Sequence, residues 1–344
     1  MSNTYCDLQL DSKRSVRLLS TPNFMAKKSF SSSKPKALSH GRPSLLSVTK
    51  PPRKVHLSSQ TTRAVIRTHH NLLKAHTRAV AVGDTSAVKK LEQDIADNGG
   101  LVQYQAASIL GQSQSRGGDT TKHLLDFLLP ARVLLKQGLP ISCSARSAED
   151  HLRAETEHFR MLDVGALSTN TAASRSGIFD ITRIDLNSQE KEILEQDFMK
   201  RPLPTTNVEK FDIVCLSLVV NYVPDAKGRG DMLKRVYHFL QSPLKYMSDH
   251  TQENDADTEK SLGTIFPALW LVLPAPCVTN SRYMTVDRLR DIMCSLGYIE
   301  LQSKLSAKLA YFLFRWTGKP SNQPSFSKVE VKPGTSRNNF LIVT

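Results

Sequence analysis

Over residues 1–56 the apolar positions follow no period, and Ser, Pro and Lys dominate. Such a segment buries too little surface to offset chain entropy, so it is expected to be a disordered tail (1–58). The pattern changes at Thr61 and Thr62. Ile66, His69, Leu73, His76 and Val80 then recur at three- and four-residue steps, which predicts one helical face. Gly83-Asp84 interrupts it, and Asp84 is placed to cap a second helix carrying Val88, Leu91 and Ile95, ended by Asn98-Gly99-Gly100. A third helix is expected over 101–110, closing at Gly111. Asp119 to Thr121 opens a fourth, through Leu124, Leu125 and Leu128 to Pro130. Residues 59–150 are therefore expected to form a helical N-terminal layer.

From Phe159 the texture becomes strand–helix–strand. Strands are predicted at 159–164, 181–185, 193–197, 211–218 and 268–273, with a helix at 229–240 turning Met232, Leu233, Val236 and Phe239 inward. A helix at 287–296 and strands at 307–314 and 339–343 follow. Apolar strands alternating with helices argue for an α/β fold: a mostly parallel sheet covered on both faces, spanning 151–344. The last two strands, separated by a polar stretch (317–338), suggest an antiparallel C-terminal strand. Residues 241–262 are polar and acidic and are expected to be a surface insertion; no internal repeat is visible.

With 344 residues, 40% of them hydrophobic, the chain can build a substantial core. No segment approaches the roughly 18–20 apolar residues of a membrane span, and the N-terminus lacks a basic-then-apolar signal pattern. Five dispersed cysteines (Cys6, Cys143, Cys215, Cys277, Cys294), with no CxxC, suit free thiols in a reducing compartment. Net charge is +14, and residues 1–56 hold eleven Lys and Arg against two acids. A basic tail fits an acidic polymer or nuclear import, with Lys27-Lys28, Lys34 to Lys36 and Lys50 to Lys54 as import clusters; a solvated tail that only aids solubility is the alternative.

The candidate chemistry lies in FRMLDVGALSTNTAASRSGIFDITRIDL (159–186). An apolar strand ends at Gly165, a hydroxyl-rich turn follows, and a second strand stops at Asp185. A glycine lets backbone approach a ligand and a distant carboxylate accepts ribose hydroxyls, the outline of a nucleotide-type cofactor site. GxGxxG is absent, so no tight glycine turn awaits a pyrophosphate. S-adenosylmethionine carries no phosphate, and the looser turn favours it. Asp163 reinforces the pairing, although a structural glycine ending a strand would look similar. Asp197 is a candidate for the adenine amino group or a solvated strand end, and the fourth strand delivers Ser217, Asn221 and Tyr222 to the ligand-binding edge.

Taken together, VGALSTN (164–170), RIDLNSQ (183–189), EQDFMKRPLP (195–204), FDIVCLSLVVNYVPDAKGRGDML (211–233) and LVLPAPCVTNSRYMT (271–285) resemble the fungal family of nucleolar base methyltransferases that act on adenine N1 in 25S ribosomal RNA. The resemblance covers about residues 60–315. It implies a Rossmann-like class I methyltransferase fold, S-adenosylmethionine as donor, ribosomal RNA or pre-ribosomal particles as partner, and a nucleolar address in the nucleus. It also implies that Gly165 and Asp185 bind the donor. Animal homologues resembling this core are known as sensors of the donor, so a non-catalytic sensor acting through protein partners is the alternative. A monomer is the default, with no membrane and no metal.

Adenine N1 has an in-plane lone pair and lies on the edge that base pairing hides. The target must be unpaired or extruded, held in a pocket and stacked. Asn221 and Tyr222 are candidates for that pocket, or else a helix cap and a core ring. The turn after the fifth strand offers Asn280, Arg282 and Tyr283 for RNA contact, or Thr279 or Asn280 as a helix cap. His69, His70 and His76 lack Cys or acidic partners at ligand spacing, so metal binding is not expected. Cys215 reads as core, Cys277 has no companion histidine, and the aromatic run 311–316 reads as a buried strand.

Overall fold

The computed structural model describes residues 58–111, 113, 118–129, 158–188, 190–243, 265–318 and 325–344, all within the unit His56–Thr344. The expected tail up to residue 57, the end of the helical layer (130–150) and most of the expected insertion (244–262) lie outside the described residues.

A seven-stranded sheet forms the frame, in the order β3-β2-β1-β4-β5-β7-β6. Its strands are β1 (Phe159–Val164), β2 (Phe179–Asp185), β3 (Leu194–Glu195), β4 (Ile213–Ser217), β5 (Ala268–Pro274), β6 (Tyr298–Leu305) and β7 (Leu309–Trp316). Neighbours among β1 to β5 run parallel, whereas β7 is antiparallel to both β5 and β6. Side chains alternate across the central strands, as the two-residue strand period requires. Leu269, Leu271 and Leu273 of β5 join one buried cluster, and Ala268, Trp270 and Val272 join the other.

Each face is covered by helices. The described helices are α1 (Ser59–Val82), α2 (Thr85–Asp97), α3 (Gly100–Gly111), α4 (Thr121–Phe127), α5 (Ala172–Arg175), α6 (Ala226–Phe239), α7 (Pro276–Thr279) and α8 (Val286–Ser295). The first cluster takes Met232, Leu233, Val236 and Phe239 from α6 and Leu289, Ile292 and Met293 from α8. Leu124, Leu125 and Leu128 of the α4 segment close the second. Ahead of them α1 packs against α2 and α3. Ser58 and Asp84 cap α1 and α2, and Gly83, with φ +73°, ends α1 in the left-handed conformation.

Three expectations are corrected. Strand three shrinks to two residues, although Gln196 N still donates to Asp185 O at 2.8 Å. The second antiparallel partner of β7, beside β5, is β6, which was not anticipated; it is an edge strand with most of its side chains exposed, so its sequence shows little apolar pattern. Residues 339–343 do not join the sheet. They run extended over α6, where Val343 N donates to Ala226 O at 3.0 Å and Arg229 Nη1 donates to Leu341 O at 2.6 Å. Phe340, Leu341 and Ile342 are buried, which is what made the segment read as a strand.

Gly230 makes this contact close: a Cβ there would stand 1.8 Å from Val343 O. Alanine in a helix interior is normally worth about 0.5–1 kcal/mol over glycine, but forced overpacking costs about 1–3 kcal/mol. Gly230→Ala is therefore expected to lower the urea midpoint. In a chain ending at residue 338 the same substitution should become neutral or stabilising, a reversal that a helix-propensity effect alone would not give.

Candidate active site

A cavity of about 530 Å³ opens at the carboxyl ends of β1, β2 and β4. The strand order reverses between β1 and β4 there, the place where open α/β sheets bind ligands. Gly165, Asp185, Ser217 and Leu218 form its floor, and Asp197 and Phe198, just after β3, form one side. Thr62, Arg63 and Ile66 of α1 and Leu101 and Tyr104 of α3 form the roof.

Gly165 turns the chain out of β1 with φ +74°, and a Cβ there would lie 2.7 Å from Val219 Cγ2. The left-handed backbone would cost an L-residue about 1–2 kcal/mol before any clash. The turn folds back on β2: Gly165 N and Ala166 N both donate to Ile184 O, at 2.8 and 3.1 Å. Across the floor, Leu218 also has positive φ, 60°, unusual for a bulky residue, and its N–H is held by Val272 O at 2.9 Å.

Asp185 accepts from Asn187 N at 2.9 Å, and burial pushes its carboxyl above the usual range. Asn187 in turn exchanges two hydrogen bonds with Gln105 of α3: Gln105 Nε2 donates to Asn187 O at 2.8 Å and Asn187 Nδ2 donates to Gln105 Oε1 at 2.6 Å. Asp197 accepts from Met199 N at 2.8 Å. The hydroxyls of Ser217 and Thr120 meet at 2.8 Å. Asp119 fastens the start of α4 to the turn after β1, accepting from Thr121 N at 2.8 Å and from Ala172 N.

An aromatic group stands beside this floor. His70 stacks on Tyr222 at 4.2 Å, Tyr104 meets both edge-on, and His69 stacks on Tyr104 at 4.6 Å. Burial, with Lys74 and His69 adding to it, lowers His70 to about 3, so its ring is neutral at physiological pH. Burial likewise raises the phenols of Tyr104 and Tyr222. The group is apolar in effect and uncharged.

The structure brings Gly165, Asp185, Asp197, Ser217 and Tyr222 to one cavity. Five other expected residues stand apart from its lining. Asp163 faces Arg183 and Asp119 beneath the floor. Asn221 lies beside Tyr222 without entering the lining, and its buried Oδ1 has no hydrogen-bond partner among the described residues. Asn280, Arg282 and Tyr283 engage the C-terminal stretch instead: Arg282 N donates to Asn338 O at 3.0 Å, Asn338 N donates to Asn280 O at 2.9 Å, and Lys328 lies over the Tyr283 ring. Thr285, rather than Thr279 or Asn280, caps α8. Sequence reasoning did not single out Tyr104, Gln105, Thr120 or Arg63. They lie on ordinary helices or, for Thr120, just ahead of one, and only long-range packing sets them around the site.

This strand order, with a glycine turn and a carboxylate flanking the switch point, defines the Rossmann-like class I methyltransferase fold. The chain belongs to the Bmt2 family, described as 25S rRNA (adenine(2142)-N(1))-methyltransferase, whose family model matches residues 89–342. It is 33% identical over 279 residues to the 25S rRNA adenine-N(1) methyltransferase of Schizosaccharomyces pombe, covering 81% of this chain and 89% of that protein. Identity is also 33% over 279 residues to the 25S rRNA (adenine(2142)-N(1))-methyltransferase of Saccharomyces cerevisiae, covering 79% and 69%. Among solved structures, a Burkholderia thailandensis 1,6-didemethyltoxoflavin-N1-methyltransferase with bound S-adenosylhomocysteine overlaps at TM-score 0.33 and 12% identity, over 62% of this chain and 87% of that one. The N-terminal domain of EvdMO1 overlaps at TM-score 0.28 and 13% identity, over 49% and 80%. The strand order, not these two overlaps, carries the fold.

Burial raises Asp163 from its ordinary 3.8 to about 7, while Arg183 opposes the rise. The folded state thus holds a proton that the unfolded chain releases, and stability present below about pH 4 is lost as pH climbs through about 7. Urea midpoints of wild type and Asp163→Asn, compared across pH, should show the wild type losing ground over that window and a constant difference above it. Parallel curves would mean the carboxyl is ionised in the fold.

Proposed function

We propose that this protein transfers the methyl group of S-adenosylmethionine to N1 of an adenine in large-subunit ribosomal RNA. One observation carries the reading: Gly165, Asp185 and Tyr222 line the same cavity, in a chain of a family described by that activity. The cavity fits the donor in kind. Its volume lies in the range of small-molecule sites, about 300–1,000 Å³. It also offers a cradle that a Cβ at Gly165 would fill, beside carboxylate acceptors at Asp185 and Asp197.

Residues of the floor hold the donor. Backbone at Gly165 permits close approach, Asp185 accepts ribose hydroxyls, Asp197 accepts the adenine amino group, and Phe198 supplies an apolar side. When bound, the donor supplies an electrophilic sulfonium methyl. Adenine N1 needs no base to act as nucleophile, so the protein's task is alignment, which supplies about 7–11 kcal/mol of barrier reduction. Tyr222 and Tyr104 give the acceptor base an uncharged wall. One Tyr222 face already rests on His70, which fixes the ring rather than leaving it to swing. The α1 and α3 roof keeps water from the reacting atoms.

The sensor alternative draws no support from the family or from either curated relative, all named as methyltransferases. The eleven cations of residues 1–56 suit a nuclear and nucleolar protein engaged in ribosome biogenesis, a location that fluorescence of the tagged chain would test. Labelled donor and total RNA test the activity. Wild type should place label in N1-methyladenine of the large-subunit RNA. Asp185→Ala should weaken donor binding roughly 10–100-fold, the loss of a charged hydrogen-bond acceptor. Gly165→Arg should abolish it. Tight donor binding with no label in RNA would overturn the reading, and full activity in both variants would overturn the site.

A further inference from the structure

We propose that α1 is an RNA-docking surface, along which the acceptor strand's phosphates run into the cavity mouth. This inference rests on RNA being the acceptor and assigns where it binds. The 24 residues of α1 contain Arg63, Arg67, Lys74 and Arg78 and no acid. At 3.6 residues per turn, their four-, seven- and four-residue spacing confines all four to a strip about 60° wide and about 22 Å long.

The strip leads to the chemistry. Arg63 and Ile66 line the cavity, and His70, about 20° beyond the edge of the strip, stacks on Tyr222. Its charge is not neutralised by any ion pair among the described residues. The acid that α2 offers to α1, Glu92, pairs with His76 at 3.5 Å on the opposite face. Among the described residues none of the four cations forms a salt bridge. Lys74 is half-buried, and besides the Cys277 thiol the charged groups facing it are Arg229 and Arg78, which with burial lower its pKa. Arg229 is itself committed to the carbonyls of Val223, Pro224 and Leu341, so it does not draw a carboxylate into the space.

A row of like charges with no counter-charge among the described residues costs stability in the free protein, and a polyanion offsets it. Spacing along one strip that ends at the reacting edge selects a linear polyanion over a compact anion. An adenine presented on its Watson–Crick edge must come from an unpaired or opened strand, so a single-stranded segment is the form that fits.

The test compares salt dependence of binding to an unpaired adenine-containing oligoribonucleotide. Full-length wild type, R67Q/R78Q and the control K89Q/K90Q, which removes equal charge from α2, are used. Each phosphate contact in a single strand contributes about 0.7 to the slope of log K against log salt. R67Q/R78Q should therefore lower the slope by about 1.4 while K89Q/K90Q leaves it unchanged. Donor binding should be equal in all three, showing that the fold is intact. An unchanged slope in R67Q/R78Q, or an equal drop in both variants, would overturn the inference. Methyl transfer by wild type decides the activity separately: binding can follow α1 whether or not label reaches RNA, and the two failures are thereby distinguished.

Discussion

The paired hydrogen bonds between Gln105 and Asn187 join the helical layer to the rim of the sheet, beside the rings of His70, Tyr104 and Tyr222. Asn187 is two residues beyond Asp185, on the rim of the sheet, and Gln105 is a buried amide on α3. Both ends of each amide interaction are satisfied, so neither partner can leave without stranding a polar group, at about 1–3 kcal/mol. Thr120 against Ser217 and Asp119 against Ala172 make equivalent ties from the start of α4. The floor of the cavity belongs to a common sheet architecture. Its roof exists because these ties hold the helices above that edge.

A second constraint stands behind the other wall. Arg229 is buried, yet its guanidinium donates to Val223 O, Pro224 O and Leu341 O and lies over the Phe340 ring. Carbonyl oxygens and a ring face replace a counter-ion, which lets a charge sit in the interior. The turn bearing Asn221 and Tyr222 is thereby tied to the end of the chain. Gly230, one residue further on, admits the backbone of that end against α6. The C-terminal segment is thus structural support for the turn that carries Tyr222, and the sheet does not need it as a strand.

What the sequence disclosed follows from how locally each feature is determined. Strands buried on both faces, such as β4 and β5, read as uninterrupted apolar runs because no side chain there meets water. Gly165 and Asp185 were legible because a strand exit and a strand end fix their places along the chain. Edge strand β6 was hidden, since only one of its residues is fully buried. The opposite error arose at residues 339–343, where burial was read correctly but its partner, a helix, was not. Asn280, Arg282 and Tyr283 have side chains suited to nucleic acid, yet their environment is set by a segment some fifty residues on. Tyr104 and Gln105 carried no local mark at all.

The distribution of charge around the cavity has a logic that neither the fold nor the motifs contain. Carboxylates, Asp185 and Asp197, belong to the sheet side, while Arg63 and the row behind it belong to α1. A sulfonium donor is a cation and an RNA strand is a polyanion. With both entering as proposed, the polyanion meets the cations of α1 and the donor's hydroxyl and amino groups meet the acceptors Asp185 and Asp197, so the electrostatics oppose the exchange of their places. Desolvation by the roof strengthens both preferences, because charges interact more strongly where water is excluded. On that reading the helical layer contributes more than cover: it sets a cationic side against the carboxylates of the sheet.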